Sequence, residues 1–379
     1  METLDELTLL TIEDEDQEPA PELEALVDGE LPPLELSVII PARNEQDALP
    51  TCLASLLSQS EPGFELGRHW ELILVDDRST DATRKIMADA AQLAGVKAID
   101  APELDTSPTS GFTGKTNACW AAAQIARGKM LLFTDADTIH EPGNLLRARH
   151  ELEKYRVALL SYSPLQLTSG LLQRMLMPLV FAELAVAYPT RRVNVLEDRT
   201  AAANGQFILV EAEDYFAVGG HRAVGRSVLE DVALARNFKR SRRAIRFRYA
   251  PDALSVRMYR NNAAMIEGWT KNLALLFTQP IPMALIALLV FSLAVGLPFL
   301  AVMYPFQFYW GPAAVWIVWL RGVWGFIARA SKSNFPIPDR VLALFGIPLF
   351  AWLLIRSYIQ VRVLKKVDWK GRTYSTSPG

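Results

Sequence analysis

The spacing of apolar and polar positions between residues 36 and 166 predicts alternating strands and helices. The predicted strands are 36–42, 71–77, 96–100 and 129–137, and the predicted helices are 45–58, 81–94, 115–128 and 141–155. Asp81 is a suitable N-cap for the second helix, and Gly128 a suitable C-cap for the third. Continuous apolar strands that alternate with helices are typical of a parallel sheet covered on both faces. The pattern therefore predicts an α/β domain.

The chain then changes character, because residues 273–320 contain no charged side chain over 48 positions. Residues 281–303 would extend about 35 Å as a helix, enough to cross a hydrocarbon core of roughly 30 Å. Two weaker apolar stretches follow at 309–328, which contains Arg321, and at 341–360.

The membrane topology stays open at this stage. The basic loops 329–340 and 362–372 both favour the cytoplasmic side. Three full spans would conflict with that preference and with a cytoplasmic catalytic domain, so either one stretch is re-entrant or the tail lies outside. A further apolar segment, 170–188, is interrupted by Arg174 and Glu183. It is interpreted as a membrane-surface helix, with a core helix as the alternative.

Charge is distributed unevenly along the chain. Residues 1–35 hold 13 Asp and Glu and no Lys or Arg, which leaves 39 basic against 29 acidic residues in the rest. An acidic segment without aromatic residues is predicted to be a disordered tail, and it lacks the features of a signal peptide. The basic body suits nucleic acid, an anionic membrane surface or phosphorylated substrates. Two cysteines without a Cys/His cluster argue against a disulfide scaffold or a zinc site.

Polar clusters follow the first, second and fourth predicted strands. They read PARNE at 41–45, DDRSTD at 76–81 and TDADTIH at 134–140. Ligands of such sheets bind at the carboxyl ends of the strands, so we expect the three clusters at one edge. Between them, Lys115 in GFTGKTNA stands at the start of a helix, where a phosphate is favoured, although the spacing is not that of a Walker P-loop.

Asp135 and Asp137 in TDADTIH allow three interpretations: a solvated turn, a metal site, or the nucleophile of a phosphatase. Side chains two positions apart in an extended segment share a face, so both carboxylates would suit one divalent cation. A phosphatase nucleophile is expected after the first strand rather than the fourth. His140 could approach such an ion or be an ordinary loop histidine, and the sequence leaves this open.

The motifs SVIIPARNE, ILVDDRSTDAT, GKTNA and LLFTDADT resemble, in this order, those of family 2 glycosyltransferases with the GT-A fold, over roughly residues 36–275. The resemblance implies that Asp135 and Asp137 hold Mg²⁺ or Mn²⁺ and the sugar donor. It also implies that Glu230 and Asp231 form the catalytic pair, with Asp231 as the base, which fits inversion at the anomeric carbon. The residues expected to bind the nucleotide sugar are Pro41, Arg43, Asn44, Glu45, Asp76, Asp77, Lys115 and Asp135.

The acceptor side departs from the processive members of that family. These carry Gln-x-x-Arg-Trp, whereas residues 257–272 keep Trp269 without the Gln and Arg. The short motifs GQF, GGH, LED, RMY and GWTKN together resemble those of membrane glycosyltransferases that modify carotenoids. TGK and DADTIH resemble those of hopanoid-associated ones, and 367–374 resembles a terminal segment of lipid glycosyltransferases. The residues expected on the acceptor side are Gly220, His221, Trp269 and Lys271.

We therefore expect a tail at 1–35, a GT-A domain with a mostly parallel sheet at 36–275, transmembrane or interfacial helices at 276–363 and a basic tail at 364–379. The expected function is inverting transfer of a hexose, from a UDP-sugar in particular, to a lipid acceptor at the cytoplasmic membrane, with the catalytic domain in the cytoplasm and no nucleic-acid partner. The alternatives are a polysaccharide synthase of the same fold and a non-catalytic membrane scaffold.

Overall fold

The computed structural model describes residues 34–59, 61–104, 111–303, 310–369 and 372–375. The predicted disordered tail lies outside these residues except for its last two positions, which open the first strand. The helices are α1 Leu49–Leu57, α2 Thr83–Ala90, α3 Gly114–Ile125, α4 Asn144–Tyr155, α5 Leu171–Ala187, α6 Thr190–Val193, α7 Ala212–Ala217, α8 Gly220–Ala223, α9 Glu230–Arg240, α10 Asn262–Leu276, α11 Pro280–Met303, α12 Trp310–Ala330 and α13 Ile337–Tyr358.

The central element is a seven-stranded sheet in the order β3-β2-β1-β4-β8-β6-β9. Strands β1 to β4 run parallel to one another, whereas β8 runs antiparallel to both β4 and β6. The sheet is therefore mostly parallel, as expected. The strands are β1 Leu34–Ala42, β2 Trp70–Asp76, β3 Val96–Asp100, β4 Gly128–Thr134, β5 Thr138–His140, β6 Leu159–Ser163, β7 Leu165–Gln166, β8 Phe207–Glu211, β9 Ile245–Tyr249, β10 Leu254–Val256, β11 Lys366–Trp369 and β12 Arg372–Ser375.

Helices cover both faces of this sheet because its strands are apolar on both sides. Val38 and Ile40 of β1 pack into a core with buried residues of α1, α2 and α4. Ile39 faces the opposite way, into a core with α3, α7 and α9. The alternation of side chains along a strand produces these two layers. Strands β5, β10 and β7 form a separate small sheet, and α10 follows β10 in the chain.

Two predicted helix ends are wrong. Gly128 does not cap α3, which ends at Ile125; it is the first residue of β4. A Cβ at Gly128 would lie 2.3 Å from the Ser37 backbone nitrogen, so glycine allows β4 to approach β1. The N-cap of α2 is Ala82 rather than Asp81, whose carboxylate accepts hydrogen bonds from the backbone of Thr83 and Gln46 just before the helix.

The apolar helices form a second layer next to the sheet domain. Among the described residues, four segments are long and apolar enough to cross a membrane: 171–193, 280–303, 313–330 and 337–363. Their environments differ, because about half of the first and the last is buried within the protein, whereas almost none of the middle two is buried.

Helices α5, α10 and α13 pack together into a third core, which contains Trp269, Met177 and Phe350. Arg174 of α5 binds Asp339 of α13 at 2.7 Å. Beside this pair, Gly346 of α13 lets the two helices touch, since a Cβ there would lie 2.3 Å from the Met175 carbonyl oxygen. One side of segment 170–188 is therefore buried inside the protein, in the core that it shares with α10 and α13. A π-helical turn, Ile359–Val363, and the hairpin β11-β12 follow α13.

Candidate active site

The loops after β1 and β2 are joined side by side. Asn44, in a left-handed conformation, accepts a hydrogen bond from the Thr80 backbone at 2.8 Å. The Glu45 backbone donates to the Thr83 hydroxyl at 2.8 Å. Asp76 accepts from the Ser79 backbone at 3.2 Å. These contacts bring the polar clusters at 41–45 and 76–81 to one edge of the sheet, as the sequence predicted.

A cavity of about 390 Å³ opens at this edge. One end is polar and is formed by the loops after β1, β2 and β4 and by the first turns of α3 and α9. The other end is apolar and is formed by α5, α10 and the chain before α10. The predicted site residues that line it are Pro41, Arg43, Glu45, Asp77, Lys115, Asp135, Asp137, Glu230, Asp231, Trp269 and Lys271.

Lys115 occupies the centre of the polar end. Thr113 caps α3 and places Lys115 in its first turn. The ammonium group lies 2.6 Å from an Asp135 carboxylate oxygen and 3.0 Å from a Glu230 oxygen. Burial opposes the charge, but the two carboxylates hold the pKa of Lys115 well above its ordinary value. Lys115 therefore links the Asp-x-Asp loop to the Glu-Asp pair.

Glu230 and Asp231 open α9, where the helix dipole favours negative charge. Asp231 accepts hydrogen bonds from the backbones of Gly205, at 3.0 Å, and Val232, at 2.7 Å. Burial, followed by the adjacent Glu230 charge, raises the pKa of Asp231 to about 6. Burial acts in the same direction on Glu230, but the Lys115 charge holds the pKa of Glu230 below its ordinary value. The two neighbouring carboxyl groups therefore differ in acidity, with Glu230 the more acidic and Asp231 the less acidic.

Asp135 and Asp137 lie in the turn between β4 and β5 rather than in an extended strand. Both face the same cavity. The Asp135 carbonyl accepts a hydrogen bond from the Thr138 hydroxyl at 2.7 Å, which fixes the turn. Two hard carboxylate ligands suit Mg²⁺ or Mn²⁺. The described part of the chain holds no group of three or more His, Cys, Asp or Glu suited to a metal, so further ligands would come from the substrate or water.

His140 does not line the cavity. It is buried in β5, where Nε2 lies 3.2 Å from the hydroxyls of Thr134 and Thr138, and Nδ1 lies 3.0 Å from the Asn144 amide. Burial lowers the pKa of His140 to about 3, so the ring is neutral. Its role here is to support the turn that carries the two aspartates.

The apolar end contains Trp269, whose indole N–H points to the Met177 sulfur at 3.3 Å. Its ring packs edge-on against Phe181 and Tyr259. Lys271 lies two residues further along the same helix and also lines the cavity. Burial lowers the pKa of Lys271 to about 8, against the opposing influence of Glu230 and Asp231.

Two residues expected on the acceptor side lie elsewhere. His221 is buried against Phe133, and its Nδ1 is 3.0 Å from the Tyr215 hydroxyl. Gly220 has a positive φ of 47°, and a Cβ there would lie 2.4 Å from the Tyr215 ring. Neither lines the described cavity, so their assignment to the acceptor is corrected to a role in the core. Asn44 and Asp76 also hold loops together rather than line the cavity.

Sequence reasoning missed Gly205. A Cβ there would lie 3.0 Å from the Lys115 ammonium and 3.6 Å from an Asp231 oxygen. The sequence Asn204-Gly205 in a loop was the one available indication that the backbone approaches other groups closely there. The apolar wall was missed as well, since it comes from distant segments: Phe181, Leu184, Tyr188, Val228, Phe247, Tyr249, Met258, Tyr259 and Leu276.

Comparison with known proteins identifies a family model and relatives that this chain resembles. Residues 37–179 match the family model Glycosyl transferase family 2. Curated relatives include 4,4'-diaponeurosporenoate glycosyltransferases of Staphylococcus haemolyticus (strain JCSC1435), 28% identical over 348 residues, and of Staphylococcus aureus (strain MRSA252), 26% identical over 353. Each alignment covers 90% of this chain and 88% of the relative.

The solved structures to which this chain is similar include S. aureus TarS 1-349 in complex with UDP-GlcNAc. The TM-score is 0.42 and the identity 16%, and the match covers 91% of this chain and 98% of that chain. Another is the mannosyltransferase PcManGT from Pyrobaculum calidifontis in complex with GDP-Man and Mn²⁺, with a TM-score of 0.45, 14% identity and coverage of 87% and 89%. Residues 37–179 therefore match a glycosyltransferase family 2 model, and the chain is similar to glycosyltransferases over most of its length, in line with the expected activity.

Proposed function

We propose that this enzyme transfers a hexose from a nucleotide sugar, specifically a UDP-hexose, to a membrane lipid, with inversion at the anomeric carbon. One observation carries the proposal: a single cavity joins a carboxylate-lysine cluster to an apolar wall formed by α5 and α10. The relatives named above modify diaponeurosporenoate, which makes an isoprenoid acid or alcohol the first acceptor class to test.

The donor would occupy the polar end. In this arrangement Pro41, Arg43, Glu45 and Asp77 face the nucleoside, and Lys115 faces the diphosphate. Asp135 and Asp137 would hold a Mg²⁺ or Mn²⁺ ion, which stabilises negative charge on the departing diphosphate. Lys115 already neutralises Asp135 and Glu230, so a phosphate entering the site exchanges one anionic partner of this lysine for another.

The acceptor oxygen would approach beside Asp231. As it bonds to the anomeric carbon, the bond between that carbon and the diphosphate breaks, and the nucleoside diphosphate leaves. A hydroxyl acceptor gives its proton to Asp231, whose raised pKa suits a general base. The backbone N–H groups of Gly205 and Val232 hold the carboxylate in place for this transfer.

The apolar end would hold the lipid. Phe181, Leu184 and Tyr188 of α5 and Leu276 of α10 continue the wall away from the carboxylates. A chain of hydrocarbon can lie along this wall while its polar head reaches Asp231. We further propose that the enzyme works at the cytoplasmic face of the cell membrane, where nucleotide sugars and lipid acceptors meet.

The proposal is tested by incubating membranes that contain the enzyme with labelled nucleotide sugars, a lipid extract and Mg²⁺ or Mn²⁺. We expect one labelled lipid whose mass exceeds that of its acceptor by a single hexose. A polymer of many sugars would instead support the polysaccharide synthase, and label that enters no lipid would overturn the proposal. Membranes with the Asp231→Asn variant are the control for background transfer.

A further inference from the structure

A second cavity, of about 500 Å³, lies on the surface between α8, the loop that follows it and α9. Four arginines line it: Arg222, Arg226, Arg236 and Arg240. We call this surface the arginine groove. Among the described residues, only Ser227 lines both this groove and the active-site cavity. The groove is therefore distinct from the active-site cavity, and the proposed roles in the transfer reaction include none of its arginines.

The groove carries positive charge that the described part of the protein does not neutralise. No described carboxylate lies within 4.0 Å of the guanidinium groups of Arg222, Arg236 or Arg240. Arg226 does have an interaction partner, so the argument rests on the positive charges of the other three arginines. Elsewhere in the domain, exposed arginines such as Arg84 and Arg192 bind a neighbouring aspartate.

Like charges gathered on one surface repel one another, so such a cluster is favourable mainly when an anion binds it. Arginine is well suited to phosphate, because its planar guanidinium donates two parallel hydrogen bonds. The spacing of Arg236 and Arg240, four residues apart on α9, places both on one helix face. The groove thus fits a phosphate or a phosphodiester.

The position of the groove indicates where this phosphate comes from. Val228, next to the groove residue Ser227, packs against a small cluster formed by Ala274 of α10 and Val361 of the π-helical turn after α13. The charge of Arg236 also acts on the hydroxyl of Tyr188, which ends α5. The groove therefore lies beside the ends of three apolar helices. Where such apolar helices meet a membrane, the neighbouring polar surface of the protein would face the phospholipid headgroups.

We propose that the arginine groove binds the headgroup phosphate of an anionic phospholipid. Such a contact would hold the catalytic domain against the membrane and set its height relative to the lipid acceptor. The proposal does not depend on which sugar or acceptor the enzyme uses.

The test uses the full-length protein in nanodiscs of phosphatidylcholine with added phosphatidylglycerol, and native mass spectrometry counts the anionic lipids that remain bound. We expect the R222Q/R236Q/R240Q variant to retain anionic lipid at least about tenfold less well, given that one basic residue near an anionic surface contributes about a factor of five. The R222K/R236K/R240K variant, which keeps the charge, should recover part of this retention.

The matched control removes three exposed positive charges that line neither cavity, as R68Q/R84Q/K154Q. Equal loss in this control, or unchanged retention in the groove variant, would overturn the proposal. Inorganic phosphate is added in a further arm. Full displacement of the lipid by millimolar phosphate would identify a site for soluble anions and so contradict a lipid site. Because the readout is lipid retention, failure here leaves the proposed transfer reaction untouched.

Discussion

At the scale of single residues, Asp231 and Glu230 are adjacent and yet differ in their surroundings. Asp231 has a raised pKa and two backbone donors, whereas Glu230 is paired with Lys115. We expect Asp231→Asn to lower kcat about 10²–10⁴-fold for a hydroxyl acceptor, which is the usual contribution of a general base. The affinity for UDP, measured by calorimetry, should stay within about twofold, because the amide keeps the size of the side chain. Glu230→Gln should instead strengthen UDP binding, because Lys115 loses a carboxylate partner that competes with the phosphate. A large loss of kcat in Glu230→Gln with little loss in Asp231→Asn would contradict the two roles.

The two shifted pKa values also predict how the reaction depends on pH. Asp231 acts as a base only when deprotonated, so kcat/KM should rise as the pH increases through about 6. Lys271 loses its proton near pH 8, which removes a positive charge from the cavity and should lower kcat/KM above that value. Lys271→Met should abolish the alkaline fall and leave the acidic limb in place. The exposed Lys85→Met is the matched control, and an alkaline limb that persists in Lys271→Met would contradict the assignment.

Asp135 and Asp137 could be proposed from sequence because they follow a strand whose end is set by the local pattern. Glu230 and Asp231 open helix α9 and were proposed from the resemblance to a known family. The contact between Gly205 and Asp231 joins segments 26 residues apart, and no local pattern encodes it. His221 was misplaced for the same reason, since its burial depends on how Tyr215 and Phe133 pack.

At the scale of elements, the close contact between α5 and α13 forms the support of the apolar wall. Gly346→Leu should force the two helices apart, because a side chain there meets the Met175 carbonyl. Overpacking costs roughly 1–3 kcal/mol, and each kcal/mol lowers the unfolding midpoint by about 2–4 °C in proteins of this size. Thermal unfolding in detergent measures the effect. Gly296→Leu is the matched control, because nothing lies within 4 Å of a Cβ on that residue of α11; equal shifts in both variants would contradict the packing argument.

Element boundaries show what sequence alone resolves. The central parts of the strands were predicted correctly, because short runs of β-branched apolar residues such as Val38–Ile40 are typical of buried strands. Gly128 was misread because a glycine serves equally well after a helix and in a strand that approaches its neighbour closely. The choice depends on Ser37, about ninety positions earlier in the chain, whose backbone leaves no room for a Cβ.

At the scale of the whole molecule, hydropathy cannot separate a helix that crosses a membrane from one that lies against the protein. Helix α13 is held to the rest of the protein at both ends: Asp339 binds Arg174 of α5, and Ser357 accepts a hydrogen bond from the Ala274 backbone of α10. Helix α5 likewise begins and ends on the catalytic domain, since α6 packs on β9 directly after it. Almost none of the apolar windows of α11 and α12 is buried, although α11 packs along one side against α13. A hydrogen bond from Trp319 to the Ala294 carbonyl links α11 and α12.

We therefore predict that α11 and α12 cross the membrane as a hairpin, while α5 and α13 lie at its cytoplasmic surface. This arrangement places both basic loops on the cytoplasmic side, which three spans could not do. Cysteine labelling in intact cells and inverted vesicles tests it, with low background because Cys52 and Cys119 are buried. Ser331→Cys and Lys365→Cys should react only from the cytoplasmic side, and Met303→Cys only from the opposite side. Labelling of Lys365→Cys from outside would mean that α13 crosses the membrane, and the site would then need a different route for its lipid.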